Sequence, residues 1–165
     1  MLCFAYGSNM CTGRLRARVS SAMPVAVARL SGYRFAFEKR STDGSAKGNA
    51  AETGRESDAV WGVVFDIDTA QKPALDDAEG LGHGYGEKAI TVTDKSSQSY
   101  ECVMYYAQPS HIVVDQPYDW YKRFVVDGAR QHVLPPEYIS QHLAAPPAKA
   151  DANNVRDARN RRITC

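Results

Sequence analysis

A tight polar turn near the start of the chain has the residue types that bind anions. The apolar run Leu2–Ala5 predicts a short buried strand, which stops abruptly at Tyr6, Gly7, Ser8 and Asn9. Gly7 can adopt a positive φ, and the side chains of Ser8 and Asn9 can bond to nearby backbone. Successive backbone N–H groups in such a turn can form a concave anion-binding site. The turn alone does not distinguish a site from a plain connection, so a second feature is needed.

The second feature is an acidic segment at the end of a predicted helix. Asp76, Asp77 and Glu79 come directly before Gly80, a typical helix-terminating residue. A carboxylate at the C-terminus of a helix meets the negative end of the helix dipole. If it is also buried, the charged form is disfavoured further, and this suits a group that shuttles protons. Asp76 and Asp77 are expected to be capping or surface groups, and the alternative for the whole segment is a solvated acidic helix end.

Other catalytic patterns are missing from the sequence. The glycines at 80, 82, 84 and 86 do not match G-x-G-x-x-G, and no P-loop, H-E-x-x-H or G-x-S-x-G motif occurs. A nucleophilic Ser8 would need a histidine base that nothing in the sequence assigns. Four histidines lack the spacing of metal ligands: His83, His111, His132 and His142. We therefore expect neither a metal nor a cofactor.

Hydrophobic patterns predict several strands that could position these residues. In residues 32–37, Tyr33, Phe35 and Phe37 lie on one face, which is the period of a strand. The run Ala59–Asp66 is apolar on both faces, as in a strand buried on two sides. Further strands are expected over residues 88–93 and 100–107. Residues 40–58 are polar and rich in Gly, Ser and Ala, and we interpret them as a mobile loop with a little strand near residue 50.

Helices are predicted mainly in the last third of the chain. A helical turn with three arginines is expected over residues 9–18, and a helix over 68–78 has Asp68 and Gln71 spaced as a capping box. A helix opening near Pro117 has a core-facing stripe, and another begins at Pro136. Because strands dominate the first two thirds and helices follow, the order favours an α+β fold over a doubly wound parallel sheet.

Size and composition indicate one globular domain. The chain has 165 residues, of which 44% are hydrophobic and 24% charged, with a net charge of +1. This charge provides no electrostatic argument for binding nucleic acid or an anionic membrane. We expect a domain over residues 1–143 and a C-terminal tail over residues 144–165 that frays.

The four cysteines form no C-x-x-C pair, and no signal peptide or membrane-spanning run is evident. Together they predict a cytoplasmic protein whose cysteines are reduced.

The motifs in their order along the chain resemble those of the γ-glutamylcyclotransferase family. The segments that carry the resemblance are FAYGSNM, AVWGVVFDI, LDDAEG and GYGEKAITV, and it extends over residues 2–143. It implies a small mixed β-barrel with flanking helices. It also implies that Glu79 is the catalytic acid/base and that the pocket is lined by Tyr6, Gly7, Ser8, Asn9, Tyr85 and Tyr121. Residues 40–58 and the arginine-rich tail match nothing specific in the family.

The family's reaction is intramolecular. The α-amine of a γ-glutamyl group attacks its own γ-amide carbonyl, which yields 5-oxoproline and a free amine or amino acid. The implied partner is therefore a small γ-glutamyl compound, with the protein a monomer or homodimer. Glutathione is the less favoured substrate, because the glutathione-specific branch has a somewhat different turn motif.

Two other interpretations remain open at the level of sequence. One is a non-catalytic protein that binds a small molecule in the same pocket. The other is a surface-interaction protein, which predicts no deep pocket near Glu79. In either case Tyr105, Tyr106, Tyr118 and Trp120 are expected in the core or at its rim. The catalytic interpretation depends on one geometric prediction, that Glu79 and the backbone amides of residues 6–9 share a cavity.

Overall fold

Strands with alternating or wholly apolar faces build a closed barrel and a separate hairpin. The computed structural model describes residues 1–165. Its strands are β1 (Leu2–Ala5), β2 (Met23–Ser31), β3 (Tyr33–Arg40), β4 (Ala46–Glu52), β5 (Ala59–Asp66), β6 (Tyr85–Asp94) and β7 (Ser99–Ala107). The barrel has the order β1-β5-β2-β6-β7, whereas β3 and β4 form a two-stranded sheet. The prediction of an α+β fold with a small mixed barrel is confirmed.

Strand β5 is hydrogen-bonded to β1 on one side and to β2 on the other. Val63, Val64 and Phe65 are almost completely buried, as the run without alternation predicts. The barrel closes where β1 runs parallel to β7, with Cys3 opposite Val103, whereas the other strand pairs are antiparallel. This closure brings the end of β1 beside β7, which is where the polar turn begins.

Helices cover the barrel and terminate at the positions that the sequence marks. They are α1 (Thr12–Arg16), α2 (Lys72–Glu79), α3 (Asp119–Gln131), α4 (Pro136–Tyr138) and α5 (Asn154–Arg161), with a π-helical segment at Ile139–Ala144. Before α2, the Asp68 side chain accepts a hydrogen bond from the Ala70 amide. Gly80 ends α2 in the left-handed conformation, with φ +71°. None of the helices combines the length and the hydropathy that crossing a lipid bilayer requires.

The prediction of a mobile loop over residues 40–58 is wrong for residues 46–52, where the short strand predicted near residue 50 is the seven-residue strand β4. Strand β3 continues to Arg40, and β4 pairs with it from Ala46 opposite Arg40 to Glu52 opposite Tyr33. The sequence of β4 consists largely of Ala, Gly and Asn, which have low strand propensity. Small residues are needed there, since a Cβ on Gly48 would lie 3.0 Å from the Phe35 ring. Tertiary packing therefore produces a strand that local propensity does not predict. Strand β2 is also absent from the sequence predictions.

The C-terminal tail does not fray but packs on the domain. Within it, α5 contacts α3, and the buried Asp151 carboxylate accepts hydrogen bonds from the Trp120 indole N–H at 2.8 Å and from Arg156. Cys165 forms a disulfide with Cys11, 154 residues away. The prediction that all four cysteines are reduced is therefore wrong, because only Cys3 and Cys102 are free, and both are buried. Because two of the cysteines are oxidised, the cysteines no longer support the prediction of a cytoplasmic protein.

Replacing Asp151 with alanine is expected to lower the free energy of unfolding by about 1–3 kcal/mol, because the buried Trp120 N–H loses its acceptor. The hydrogen bond from Arg156 holds the pKa of Asp151 well below its usual value of 3.8. The unfolded chain therefore binds this proton at higher pH than the folded protein does. The stabilisation is present above about pH 4 and is lost as the pH falls below it.

Urea denaturation of wild type and variant at pH 7 and pH 3, followed by tryptophan fluorescence, measures this effect. The difference in stability should be smaller at pH 3. Glu56→Ala is the matched control, since Glu56 is exposed and makes no ion pair. A wild-type advantage of the same size at both pH values would contradict the prediction.

Candidate active site

The end of β1 opens onto a small cavity that is lined by the predicted acid and the predicted turn together. The cavity has a volume of about 40 Å³. Its walls come from the turn after β1, from β4, from the end of α2, from β6 and β7, and from α3. The lining residues are Phe4, Ala5, Tyr6, Gly7, Ser8, Asn9, Gly48, Glu79, Tyr85, Tyr105 and Tyr121. The structure therefore brings together all seven residues that the sequence singled out, and adds Phe4, Ala5, Gly48 and Tyr105 to them.

The turn that follows β1 lines this cavity and contains unpaired backbone donors. Pairing of β1 with β5 ends at Ala5, and a single turn of 3₁₀ helix follows at Ser8–Met10. The Met10 amide donates to the Gly7 carbonyl at 3.0 Å, but the amides of Gly7, Ser8 and Asn9 donate to no group of the protein. Buried backbone amides are nearly always paired. These three donors are therefore available to an oxygen atom of a bound molecule.

Gly7 is not in the left-handed conformation that its position in a turn suggested. Its φ is −113°, which other residues also adopt. A Cβ at this position would lie 3.4 Å from the Tyr121 hydroxyl oxygen and would occupy part of the cavity. The glycine therefore keeps space open between the turn and α3.

Glu79 is the last residue of α2, and its side chain is 16% exposed. Its Oε1 accepts a hydrogen bond from the side-chain Nδ2 of Asn9 at 2.9 Å and forms an ion pair with Arg18 at 2.6 Å. Arg18 also donates to the Asn9 side-chain oxygen at 2.8 Å, so the three side chains form a closed triangle. The sequence predicted only features that disfavour a charge on Glu79. The structure supplies a guanidinium that stabilises this charge.

The arginines that follow the turn were not among the predicted site residues. Arg14 donates from Nε to the Ser8 hydroxyl at 3.2 Å, while Arg18 binds Glu79. The sequence does contain a signal for this arrangement, because these arginines are four residues apart and lie on one side of a helical turn. A pair of cations directly after the polar turn indicates that carboxylates lie nearby.

Tyrosine hydroxyls fix the opposite wall of the cavity. Tyr6 donates to the Tyr105 carbonyl at 2.6 Å, and Tyr85 donates to the Gly48 carbonyl at 2.6 Å. The Gly48 amide donates to the Tyr121 hydroxyl at 3.0 Å, and no backbone carbonyl accepts the Tyr121 proton. Burial raises the pKa of Tyr6, Tyr85 and Tyr121, so all three remain neutral. Tyr121 is therefore the tyrosine whose proton is not bound to a backbone carbonyl, and this proton can go to the Ser8 side chain or to a bound molecule.

Asp76 and Asp77 differ in their surroundings. Asp77 is exposed, as the sequence predicts for a surface group. Asp76 is half-buried, accepts a hydrogen bond from the Tyr105 hydroxyl at 2.6 Å and forms an ion pair with Lys72. It therefore supports a wall of the cavity, which corrects its assignment as a capping or surface group.

A larger cleft of about 280 Å³ adjoins this cavity. Ser8, Glu79, Tyr85 and Tyr121 line both spaces, so the cavity opens into the cleft. The cleft has a basic lining, which includes Arg14, Arg18, Lys39, Lys47 and His83. A molecule whose reacting end fills the cavity would extend its remaining part into this cleft.

Comparison with known proteins shows the family to which this chain belongs. The profile of the AIG2-like family matches residues 59–142. A gamma-glutamylcyclotransferase from Bos taurus is 32% identical over 147 residues, which cover 83% of this chain and 74% of the bovine one. The Homo sapiens gamma-glutamylcyclotransferase is 30% identical over 156 residues, covering 88% and 79%. A solved structure named gamma-glutamyl cyclotransferase superposes with a TM-score of 0.82 at 28% identity, covering 90% and 89%. The chain belongs to the gamma-glutamylcyclotransferase family.

Proposed function

We propose that the protein is a γ-glutamyl cyclotransferase that converts a γ-glutamyl amide or γ-glutamyl amino acid into 5-oxoproline and the free amine or amino acid. The observation that carries the proposal is the position of Glu79. Its carboxylate shares one small cavity with the unpaired amides of Gly7, Ser8 and Asn9. A proton acceptor and a set of oxyanion donors are the two groups that an intramolecular acyl transfer requires.

The first chemical step is removal of a proton from the substrate. The α-ammonium of the γ-glutamyl group transfers a proton to the Glu79 carboxylate. The amine nitrogen then attacks the γ-carbonyl carbon, and the carbonyl π electrons move to the oxygen. Before this step Glu79 must be ionised, and the ion pair with Arg18 stabilises that form. Asn9 and Arg18 also fix the direction of the carboxylate.

The second step breaks the original amide bond. The tetrahedral oxyanion collapses, the C–N bond to the leaving amine breaks, and Glu79 returns its proton to the leaving nitrogen. The ring nitrogen then carries one proton more than it has in 5-oxoproline, and this second proton passes to the released amine, which departs as an ammonium ion. The amides of the turn are placed to stabilise the oxyanion or to hold the substrate α-carboxylate. One such donor is worth roughly 3–4 kcal/mol in enzymes where it has been removed. Binding the substrate in a folded form, with amine and carbonyl in contact, also lowers the entropic part of the barrier.

The proposal is tested by incubating the protein with γ-glutamyl-alanine and measuring 5-oxoproline and free alanine. Two control compounds follow from the mechanism. α-Glutamyl-alanine has no γ-amide to break, and N-acetyl-γ-glutamyl-alanine has no free amine to attack. Only the first compound should react, with equal amounts of both products.

Calorimetry on the same compounds separates an enzyme from a binding protein. Heat of binding without 5-oxoproline, across a panel of γ-glutamyl amides and dipeptides, would favour the non-catalytic alternative. Neither binding nor product from any member of the panel would refute both.

Tyr121→Phe is expected to lower kcat/KM about 10- to 100-fold, because it removes a neutral hydrogen-bond donor to the substrate and the acceptor for the Gly48 amide. The same loss should lower the free energy of unfolding by about 1–3 kcal/mol. Tyr106→Phe is the control, since the Tyr106 hydroxyl makes no hydrogen bond and lies outside the cavity. Steady-state kinetics and thermal unfolding measure both effects. Wild-type kinetics in Tyr121→Phe would exclude a role of this hydroxyl in the reaction.

A further inference from the structure

Lys39 is a buried cation without a partner. It follows Phe35 and Phe37 on the buried face of β3, and it is only 8% exposed. Its ammonium group makes no hydrogen bond and no ion pair, and it lies 4.5 Å from the centre of the Tyr85 ring. Burial of a lysine without a paired anion is costly, and burial lowers the pKa of Lys39. A buried face of a strand normally has an apolar residue at such a position, so the lysine needs an explanation.

The other cations of the cleft already have partners. Arg18 is paired with Glu79, and Lys47 is paired with Asp43 at 2.6 Å and surrounded by three aromatic rings. Arg14 donates to the neutral Ser8 and Asn160 side chains. The only carboxylate of the cleft lining besides Glu79 is Asp77, which is exposed and accepts no hydrogen bond from the lysine. Lys39 and Arg14 are therefore the cleft cations of this group without a paired carboxylate, and of the two only Lys39 also lacks a hydrogen bond.

The glycine-rich segment makes room for this lysine. Gly84 lies against it with φ +134°, and a Cβ at that position would be 2.9 Å from Lys39 Cε and 3.0 Å from Nζ. On the other side of β3, Ile112 forms a β-bridge with Lys39. The chain thus holds the lysine side chain against Tyr85, which lines both the small cavity and the cleft.

We propose that Lys39 binds a carboxylate on the leaving half of the substrate and thereby selects γ-glutamyl compounds whose amine half is an amino acid over those whose amine half is neutral. This inference rests on the proposed function, because it assigns the part of the substrate that extends from the cavity. The reacting γ-amide lies between the turn and Glu79, and the amine half passes Tyr85 into the cleft. A carboxylate arriving there meets an ammonium group that has already lost most of its water, so a strong charge-assisted hydrogen bond forms.

The test compares γ-glutamyl-alanine with γ-glutamyl-alaninamide, which differ in the charge of the terminal group. In the wild type, kcat/KM should be about 10- to 100-fold higher for the carboxylate compound. Lys39→Met keeps the length of the side chain but removes the charge, and it should bring the two values within about threefold of each other. Lys39→Arg should retain the preference. Lys95→Met, which removes an exposed lysine of the β6–β7 turn, should leave it unchanged.

The other outcomes of this test distinguish a failure of the role of Lys39 from a failure of the proposed function. An undiminished preference for the carboxylate compound in Lys39→Met, or an equal fall on both compounds, would overturn the role of Lys39 and leave the proposed function intact. If no γ-glutamyl compound were turned over, the proposed function would fail, and calorimetric titration of the same two compounds would test Lys39 by itself. Equal affinity for both, or no binding, would then overturn the inference as well.

Discussion

Glu79→Gln should reduce the rate of 5-oxoproline formation by about 10²- to 10⁴-fold while the fold stays intact. Glutamine retains the size of the side chain and an oxygen that accepts hydrogen bonds from Asn9 and Arg18. It cannot accept the proton of the substrate ammonium or return it to the leaving nitrogen. The loss should appear in kcat, because the removed group acts in the chemical step, whereas KM should change much less.

The control for this variant is Glu101→Gln. Glu101 lies on β7 with its side chain exposed and bonded to Thr91, so the same chemical change is made away from the cavity. Thermal unfolding of both variants checks that the ion pair lost by Arg18 has not unfolded the protein. Turnover by Glu79→Gln within about tenfold of the wild type would remove Glu79 from the role of acid/base.

Gly128→Val is expected to have the largest effect on stability. A Cβ on Gly128 would lie 2.4 Å from the Cys11 amide nitrogen and 2.6 Å from the Met10 carbonyl carbon. Both atoms are backbone, so α3 must move away from the turn, and overpacking of this kind costs typically about 1–3 kcal/mol or more. At this chain length the loss corresponds to a fall in Tm of roughly 2–12 °C. Activity should fall as well, because Tyr121 lies on the same helix and would move away from Gly7.

Gly128→Ala and Arg130→Val complete this experiment. Alanine gains up to about 1 kcal/mol from helix propensity but introduces the same Cβ, so its loss of stability should be smaller than that of valine. Arg130→Val places valine at an exposed position of α3 and should have little effect on Tm. If Gly128→Val melted at the wild-type temperature, α3 would not be held against the turn as closely as described.

The parts of the fold that local chemistry determines could be predicted from the sequence. Strands β1 and β5 have continuous apolar runs, Asp68 caps the 3₁₀ turn before α2, and Gly80 ends α2. The extent of strand β4 could not be predicted beyond a short piece near residue 50, because its small residues fit against the rings that they contact in β3 and α3. The disulfide between Cys11 and Cys165 was missed for a similar reason, since the fold alone brings these distant residues together.

The residues of the candidate site could be predicted from the sequence, but the hydrogen bonds and ion pairs that connect them could not. The family motifs indicated Glu79 and the turn, whereas the contacts that stabilise the carboxylate depend on the path of the chain after the turn. The four-residue spacing between Arg14 and Arg18 indicated that these side chains lie on the same side of a helical turn. The two-residue spacing between Phe37 and Lys39 indicated that Lys39 lies on the buried face of its strand. A charged residue at an inward position of an alternating strand is therefore worth examining as a candidate ligand group.

The walls of the cavity come from positions that are far apart in the chain, from Tyr6 in the first turn to Tyr121 in α3. The strand that leads to the turn is also joined to β7, about a hundred residues later. No contiguous fragment that stops short of α3 contains a complete pocket. If the protein acts as proposed, its activity should therefore arise only after α3 has been synthesised and packed. Turnover then reports whether a truncated, permuted or split version of this polypeptide has reached its native topology.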